Sequence, residues 1–218
     1  MSKPICAVVG VGPAMGRAIA RAFADEGLDL VLMARDKAKL ERYADELGRT
    51  GTQVHIEQMD TTDETSVEQA FTRVSNAVGE PDVLVYNPAV LKKEAPSELE
   101  PKSLTETLGI MLFGAMHCVR AVLPGMRRRA GGTILFTGGG FAIDPSTTYS
   151  SHSLGKAALR NYAHSLFLEL KEQGIHAGTV TITRPVEDSG DHTADAVAQR
   201  YTELYKQQPS EWAWEIIK

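Results

Sequence analysis

The sequence predicts an α/β fold with a single, doubly wound parallel sheet of about seven strands and helices on both faces. Short, almost continuously apolar runs alternate with longer segments whose apolar residues recur at helical spacing. Strands apolar on both faces are typical of a parallel sheet covered by helices. No linker, low-complexity tract or short repeat interrupts this alternation, which favours one domain over residues 1–218.

The first half of the chain repeats a strand-then-helix unit. Ile5–Val9 is an apolar run that ends at a glycine, and Ala14–Glu26 follows with apolar residues at helical spacing. Leu28–Ala34 is the second strand. The next elements are an amphipathic helix, a strand, a helix capped by Thr62 or Asp63, and a strand, at Lys37–Gly48, Val54–Met59, Glu64–Val78 and Asp82–Tyr86.

The second half has longer helices. A helical pattern covers about Leu104–Arg129, and we expect Gly109, Gly114 or Pro124 to bend or divide it. The remaining elements alternate strand and helix, at Thr133–Thr137, Thr148–Gln173, Ala177–Thr183, Ala194–Gln207 and Trp212–Ile217. Alternating large apolar residues predict that the last strand is buried on both faces.

Composition excludes several function classes. The 23 basic and 28 acidic residues give a net charge of −5, which argues against a partner such as nucleic acid or anionic lipid. Cys6 and Cys118 lie far apart in apolar stretches and are interpreted as buried free thiols of a cytoplasmic protein. No signal-like segment and no apolar run of ~20 residues is evident. The six histidines lack metal-ligand spacing, so we expect no metal site.

A glycine-rich turn follows the first strand. The segment from Gly10 to Arg17 reads GVGPAMGR and opens directly into a helix. Glycines there permit a tight corner and a close approach to a pyrophosphate, and the free N–H groups of the helix face the anion. The spacing is also compatible with an ordinary strand-to-helix turn, but its position favours dinucleotide binding.

With these motifs, nearly all of the chain resembles the short-chain dehydrogenases/reductases. Their TGxxxGxG pattern aligns with residues 9–16, with Ala14 in place of the middle glycine, and their NNAG segment is matched in part by residues 86–89. The resemblance implies an NAD(P)-binding Rossmann fold, a small-molecule substrate, and a homo-oligomer, dimer or tetramer, packed through the helices at 104–129 and 148–173. It implies cofactor contacts from Gly10, Gly12, Ala14, Met15, Gly16, Arg35, Asp60, Thr61, Asn87, Pro88, Ala89 and Lys156.

The end of the second strand bears on the choice of dinucleotide. NAD enzymes usually place a carboxylate there to bind the ribose 2′-hydroxyl, whereas this chain has Ala34 followed by Arg35. A guanidinium binds a 2′-phosphate that a carboxylate would repel, so NADP(H) is favoured over NAD(H). The alternative is that Arg35 is a solvated surface residue.

The catalytic positions depart from the family pattern. Active members carry YxxxK, and the lysine aligns with Lys156, but the residue four earlier is His152. The family serine falls within residues 138–140, which are all glycine, and the family asparagine aligns with Met111. Two acid/base candidates stay open: His152, whose ordinary pKa of about 6.5 suits proton transfer, and Tyr149, if the helix has already begun there.

The sequence therefore predicts an NADP(H)-dependent oxidoreductase that moves a hydride between nicotinamide and a carbonyl or alcohol. The alternative is a catalytically silent dinucleotide-binding protein, either a redox sensor or an assembly subunit. Thr137 or the backbone N–H groups of Gly138 and Gly139 are candidates to replace the serine as oxyanion donors. The segment 183–192, where the family has a long substrate-covering loop, is short, which predicts an open pocket.

Overall fold

The computed structural model describes residues 3–48 and 51–218. Within them, seven parallel strands form one sheet in the order β3-β2-β1-β4-β5-β6-β7. The strands β1 to β7 are Ile5–Val9, Asp29–Ala34, Val54–Gln58, Val83–Tyr86, Gly132–Gly139, Ile175–Ile182 and Glu215–Ile217. The predicted doubly wound, Rossmann-like sheet is confirmed.

Helices cover both faces of this sheet. The helices α1 to α7 are Met15–Asp25, Lys37–Gly48, Glu64–Ala77, Pro101–Leu108, Gly114–Arg129, Ser150–Leu170 and Ala194–Lys206. One apolar core lies between the sheet and helices α3, α5 and α6, and the other between the sheet and α1, α2 and α7. Successive residues of β1 alternate between them, with Ala7 and Val9 in the first core and Cys6 and Val8 in the second.

The chain order reverses beside β1. From β1 the sheet grows through β2 and β3 on one side and through β4 to β7 on the other. Val9 at the end of β1 pairs with Tyr86 at the end of β4, and the N–H of Asn87 donates to the carbonyl oxygen of Val9 at 3.0 Å. In such sheets ligands bind outside the carboxyl ends of the strands at this reversal.

The long helical pattern is interrupted by one wide turn. It begins at Pro101, and a π-helical segment at Gly109–Phe113 separates α4 from α5. Pro124 lies inside α5 and does not divide it, so only the glycine positions marked the break correctly.

By length and composition alone, Pro101–Arg129 is long and apolar enough to cross a membrane, because an 18-residue stretch within it has a mean hydropathy of 1.5. The expectation that no stretch approaches this length is therefore wrong. The inner face of α5 lies against the sheet, with Cys118, Val119 and Met126 in the core.

The last strand differs from its prediction. Only Glu215–Ile217 pairs, on one side, with β6, so β7 is an edge strand and Ile217 is 58% exposed. The prediction of burial on both faces is wrong, because Ile216 packs against the core formed with α1, α2 and α7 whereas Ile217, on the opposite face, is exposed. Trp212 and Trp214 precede the strand and stack on His176 and His164, with ring centroids 4.9 and 4.2 Å apart.

Candidate active site

A cleft of about 890 Å³ opens at the carboxyl ends of the strands, at the reversal of strand order. The predicted cofactor residues in its lining are Gly10, Gly12, Met15, Arg35, Asp60, Thr61, Asn87, Pro88 and Ala89. Ala14, Gly16 and Lys156 lie outside the lining. The structure thus brings most of the predicted set, from four separate segments of the chain, to one surface.

The glycine turn is shaped by close packing. Gly10 has φ +81°, and a Cβ there would lie 2.7 Å from Cγ of Pro88. Gly16 is buried at the start of α1, where a Cβ would lie 2.7 Å from the carbonyl oxygen of Gly10. A Cβ at Gly12 would meet no atom within 4 Å. Since α1 begins at Met15, its first N–H groups are next to this turn, and the turn fits a pyrophosphate.

A chain of hydrogen bonds connects the glycine turn to the ends of β4 and β5 and to α7. The amide nitrogen of Asn87 donates to the carbonyl oxygen of Gly10 at 2.9 Å, and its amide oxygen accepts from the Thr137 hydroxyl at 2.8 Å. Tyr201 of α7 in turn donates its hydroxyl to Thr137 Oγ1 at 2.7 Å. The Thr137 hydroxyl therefore donates its hydrogen to Asn87, and the expectation that it serves as an oxyanion donor is wrong. Sequence reasoning missed Tyr201, because a tyrosine in an amphipathic helix resembles any core aromatic.

Asp60 lies where the cleft passes the end of β3. Its carboxylate accepts from the N–H of Thr62 at 2.9 Å and from its hydroxyl at 2.8 Å, and these bonds lower the pKa of Asp60. The N-cap of α3 is Asp63, whose side chain accepts from the N–H of Ser66. Asp60 is therefore an ionised residue of the cleft wall.

A basic group of side chains lines the far end of the cleft. Arg35 follows β2, and Lys39 and Arg42 come from the first turns of α2. Lys39 Nζ lies 2.9 Å from the carboxylate of Asp36, whereas Arg35 and Arg42 form no ion pair with the residues that the structure describes. The i, i+3 spacing of Lys39 and Arg42 was a signal in the sequence for this group.

The start of α6 separates the two proton-transfer candidates. Tyr149 precedes the helix, with φ −127° and ψ 56°, so the helix has not begun there and the conditional prediction of a face shared with Lys156 fails. Its ring stacks on Phe141 at 6.0 Å. His152 and Lys156 both lie in α6, one turn apart.

Lys156 is buried beside the end of β5. Lys156 is only 4% exposed, and its ammonium donates to the carbonyl oxygen of Thr137 at 2.6 Å. Burial lowers the pKa of Lys156 to about 8. A Cβ at Gly139 would lie 3.3 Å from three carbons of this side chain. The lysine therefore packs directly against the position that the Cβ of a serine at 139 would take.

His152 has one ring nitrogen engaged. Its Nδ1 lies 2.5 Å from the carbonyl oxygen of Val90, which only accepts, so Nδ1 carries the hydrogen and Nε2 the lone pair. Partial burial and, to a smaller degree, the Lys156 ammonium lower the pKa of His152, and the bond to Val90 opposes them. The imidazole is therefore neutral at pH 7.

Two other regions that differ from the family pattern are the asparagine position and the segment after β6. Met111, where the family has asparagine, is fully buried, and its Sδ would lie 2.9 Å from a Cβ at Gly155. Within the segment after β6, Arg184 forms an ion pair with Asp191 at 2.7 Å. This segment contributes nothing to the lining of the described cleft.

The profile of the short chain dehydrogenase family matches residues 4–185. The chain therefore belongs to this family. Oxidoreductase UcpA of Salmonella typhimurium is 30% identical over 176 residues, which cover 79% of this chain and 66% of UcpA. The chain thus spans about two thirds of that relative's length.

Solved structures with similar folds carry bound cofactor. L-sorbose reductase from Gluconobacter frateurii, in complex with NADPH and L-sorbose, has a TM-score of 0.92 at 21% identity, covering 100% of this chain and 95% of that one. An NADPH-bound short chain oxidoreductase from Pseudomonas aeruginosa PAO1, described as containing an atypical catalytic center, has a TM-score of 0.90 at 18% identity. It covers 98% of this chain and 94% of that one. At these identities the likeness shows the fold.

Proposed function

We propose that this member of the short-chain dehydrogenase family is an NADP(H)-dependent oxidoreductase acting on a small-molecule carbonyl or alcohol, with His152 as its proton carrier. The observation that carries the proposal is the pairing of His152 and Lys156 on one turn of α6, beside a cleft with a cradle for pyrophosphate. The imidazole occupies the place of the family tyrosine and leaves Nε2 free to exchange a proton.

Different residues of the cleft would bind different parts of the cofactor. The turn at Gly10 and the N-terminus of α1 would hold the pyrophosphate, and Asp60 the adenine end. Arg35 and Arg42, which form no ion pair among the described residues, would bind a 2′-phosphate, whereas a carboxylate at that place would select NAD(H). When bound, the nicotinamide supplies or accepts the hydride.

The proton moves at Nε2 of His152. In alcohol oxidation the neutral ring accepts the hydroxyl proton at Nε2, while Nδ1–H stays bonded to the Val90 carbonyl oxygen. In carbonyl reduction Nε2 first takes up a proton from solvent and then gives it to the substrate oxygen, which leaves the ring neutral again. Lys156 would hold the ribose hydroxyls through its ammonium, and Tyr149, stacked on Phe141, would form a wall of the substrate side. This assignment favours His152 over Tyr149, which lies outside α6.

Similar proteins support this function over the silent alternative. The similar proteins named above are described as oxidoreductases or a reductase, and two of them bind NADPH. We also propose a homo-oligomer through α5 and α6, where exposed apolar side chains such as Met116 and Leu168 face outward. A single domain over residues 1–218, a cytoplasmic location and the absence of nucleic-acid and membrane partners stay predictions.

The test begins with binding. Isothermal titration with NADPH and with NADH should give tighter binding of NADPH, and failure of both to bind would overturn the proposal. Turnover is then followed by the absorbance of NADPH against a panel of aldehydes, ketones and alcohols. Binding without turnover over the whole panel, in both directions, would favour the silent alternative.

A further inference from the structure

Glu94 lies outside the family motifs, yet it has an unusually complete set of partners. It follows β4 in the loop that leads to α4, and its side chain is only 11% exposed. One carboxylate oxygen accepts from the Lys92 ammonium at 2.8 Å and from the Ser103 hydroxyl, and the other accepts from the Ser151 hydroxyl at 2.5 Å. Both serines are buried. The carboxylate therefore joins the loop to the first turns of α4 and α6.

The backbone of Glu94 adds to this junction. Its N–H donates to the carbonyl oxygen of Thr148 at 2.8 Å, and its carbonyl oxygen accepts from the N–H of Ser150 at 3.1 Å. Tyr149, at the N-cap of α6, provides no capping bond from its side chain. A carboxylate near the first turn is also favoured by the helix dipole. Glu94 thus supplies from a distant segment the fixation that the local sequence of α6 lacks.

The same junction sets the distance between His152 and its partner. Val90 precedes Glu94 by four residues in the loop, and His152 follows Ser151 by one residue in the helix. The bond from Nδ1 of His152 to the Val90 carbonyl oxygen therefore spans the two segments that Glu94 holds together. Without the junction, the loop and the helix could separate, and either ring nitrogen could carry the hydrogen.

Resting on the proposed function, we propose that Glu94 is a positioning residue for His152. It holds the loop carbonyl of Val90 on Nδ1, so that Nε2 is the nitrogen that faces the substrate with a free lone pair. Hydrogen bonds from Lys92, Ser103 and Ser151 lower the pKa of Glu94 to about 2, so the carboxylate is ionised throughout the neutral range. The junction therefore persists while His152 itself titrates.

The decisive measurement is the tautomer of His152 in the protein without cofactor. Nitrogen NMR of histidine-labelled protein distinguishes a protonated Nδ1 from a protonated Nε2, and His152→Gln identifies the signals. We expect the wild type to show hydrogen on Nδ1, and Glu94→Ala to show a mixture of both tautomers. Glu94→Gln keeps an acceptor for one serine, so its fraction of Nδ1-protonated His152 should lie between those of the wild type and Glu94→Ala. Glu26→Ala is the matched control, because Glu26 also pairs with a lysine, Lys206, at 2.6 Å but lies far from α6.

Kinetics give a second readout. Glu94→Ala should lower kcat by about 10- to 100-fold, with the Kd for NADPH changed less than about twofold, because only the orientation of the proton carrier is lost. Unchanged tautomer signals in folded Glu94→Ala would overturn the proposal. If that variant does not fold, Ser151→Ala, which removes one bond of the junction, replaces it, and unchanged signals there are equally contrary. If the tautomer shifts while His152→Gln keeps full turnover, the junction stands and the proposed role of His152 falls.

Discussion

The two ends of the cleft are built on different principles. At the cofactor end, function depends on backbone geometry, since Gly10 has a positive φ and packs against Pro88, and Gly16 packs against the turn. At the proposed proton-transfer end, the proposed function depends on side-chain chemistry, and His152, Gly139 and Met111 stand where the family carries other residues. A site made by the backbone tolerates little change, whereas a site made by side chains can exchange its groups while the scaffold remains. Four variants test this difference between the two ends.

Replacing His152 should have the largest effect. His152→Ala removes the proposed proton carrier, so kcat should fall about 100- to 10,000-fold while NADPH binding is retained. Steady-state kinetics and titration calorimetry measure the two quantities. Tyr149→Phe is the control, because it keeps the ring stacked on Phe141 and removes only the hydroxyl. A loss in Tyr149→Phe as large as that in His152→Ala would move the proton-transfer role to the tyrosine.

Gly10→Ala tests the backbone side of the comparison. The added Cβ meets Pro88 at 2.7 Å and the residue has φ +81°, so strain and overpacking should lower the free energy of unfolding by about 3 kcal/mol. NADPH affinity should fall with it. Gly12→Ala, whose Cβ meets nothing within 4 Å, should leave the stability nearly unchanged in the same denaturant titration. Equal stabilities of the two variants would contradict the account of the turn.

Lys156→Met separates stability from function. Burial lowers the pKa of Lys156 from 10.5 to about 8, which corresponds to roughly 3 kcal/mol of destabilisation by the charged form. Methionine removes this charge but leaves the Thr137 carbonyl oxygen without its donor, so at pH 7 the variant should be about 2 kcal/mol more stable and much less active.

The same substitution predicts a pH dependence. Because the folded pKa is the lower one, the unfolded chain binds more protons between pH 8 and 10.5, and wild-type stability should rise across that window. The advantage of the variant should therefore be full below pH 8 and shrink towards pH 10.5 in urea titrations. A constant difference across the window would show that the ammonium is well solvated in the folded protein.

Arg35→Ala should have the smallest effect. Loss of a charge-assisted hydrogen bond at an exposed site should weaken NADPH binding about tenfold and leave NADH binding unchanged. Arg200→Ala, which removes an arginine paired with Glu203 at 2.6 Å on α7, is the control. Equal weakening for both cofactors would indicate that Arg35 does not face the 2′-phosphate.

The same contrast explains what the sequence could predict. Glycines and apolar periodicity record local conformation, so the strands and the turn at Gly10 were found from the sequence. Glu94 and Tyr201 each bind a partner more than 50 residues away, Ser151 and Thr137, and no local pattern marks these contacts. The start of α6 was misplaced because its fixation comes from the Glu94 segment and not from a local cap.

The packing of Lys156 over Gly139 makes the substitutions in this cleft depend on their order. A serine introduced at Gly139 places its Cβ 3.3 Å from three lysine carbons, so Lys156 must shift before the hydroxyl can be used. A tyrosine introduced at 152 would lose the Nδ1 bond that now joins the helix to Val90. We therefore expect the effects of restoring the family residues at these positions to depend on one another. An engineering library for this protein should vary 139, 152 and the lysine's surroundings together.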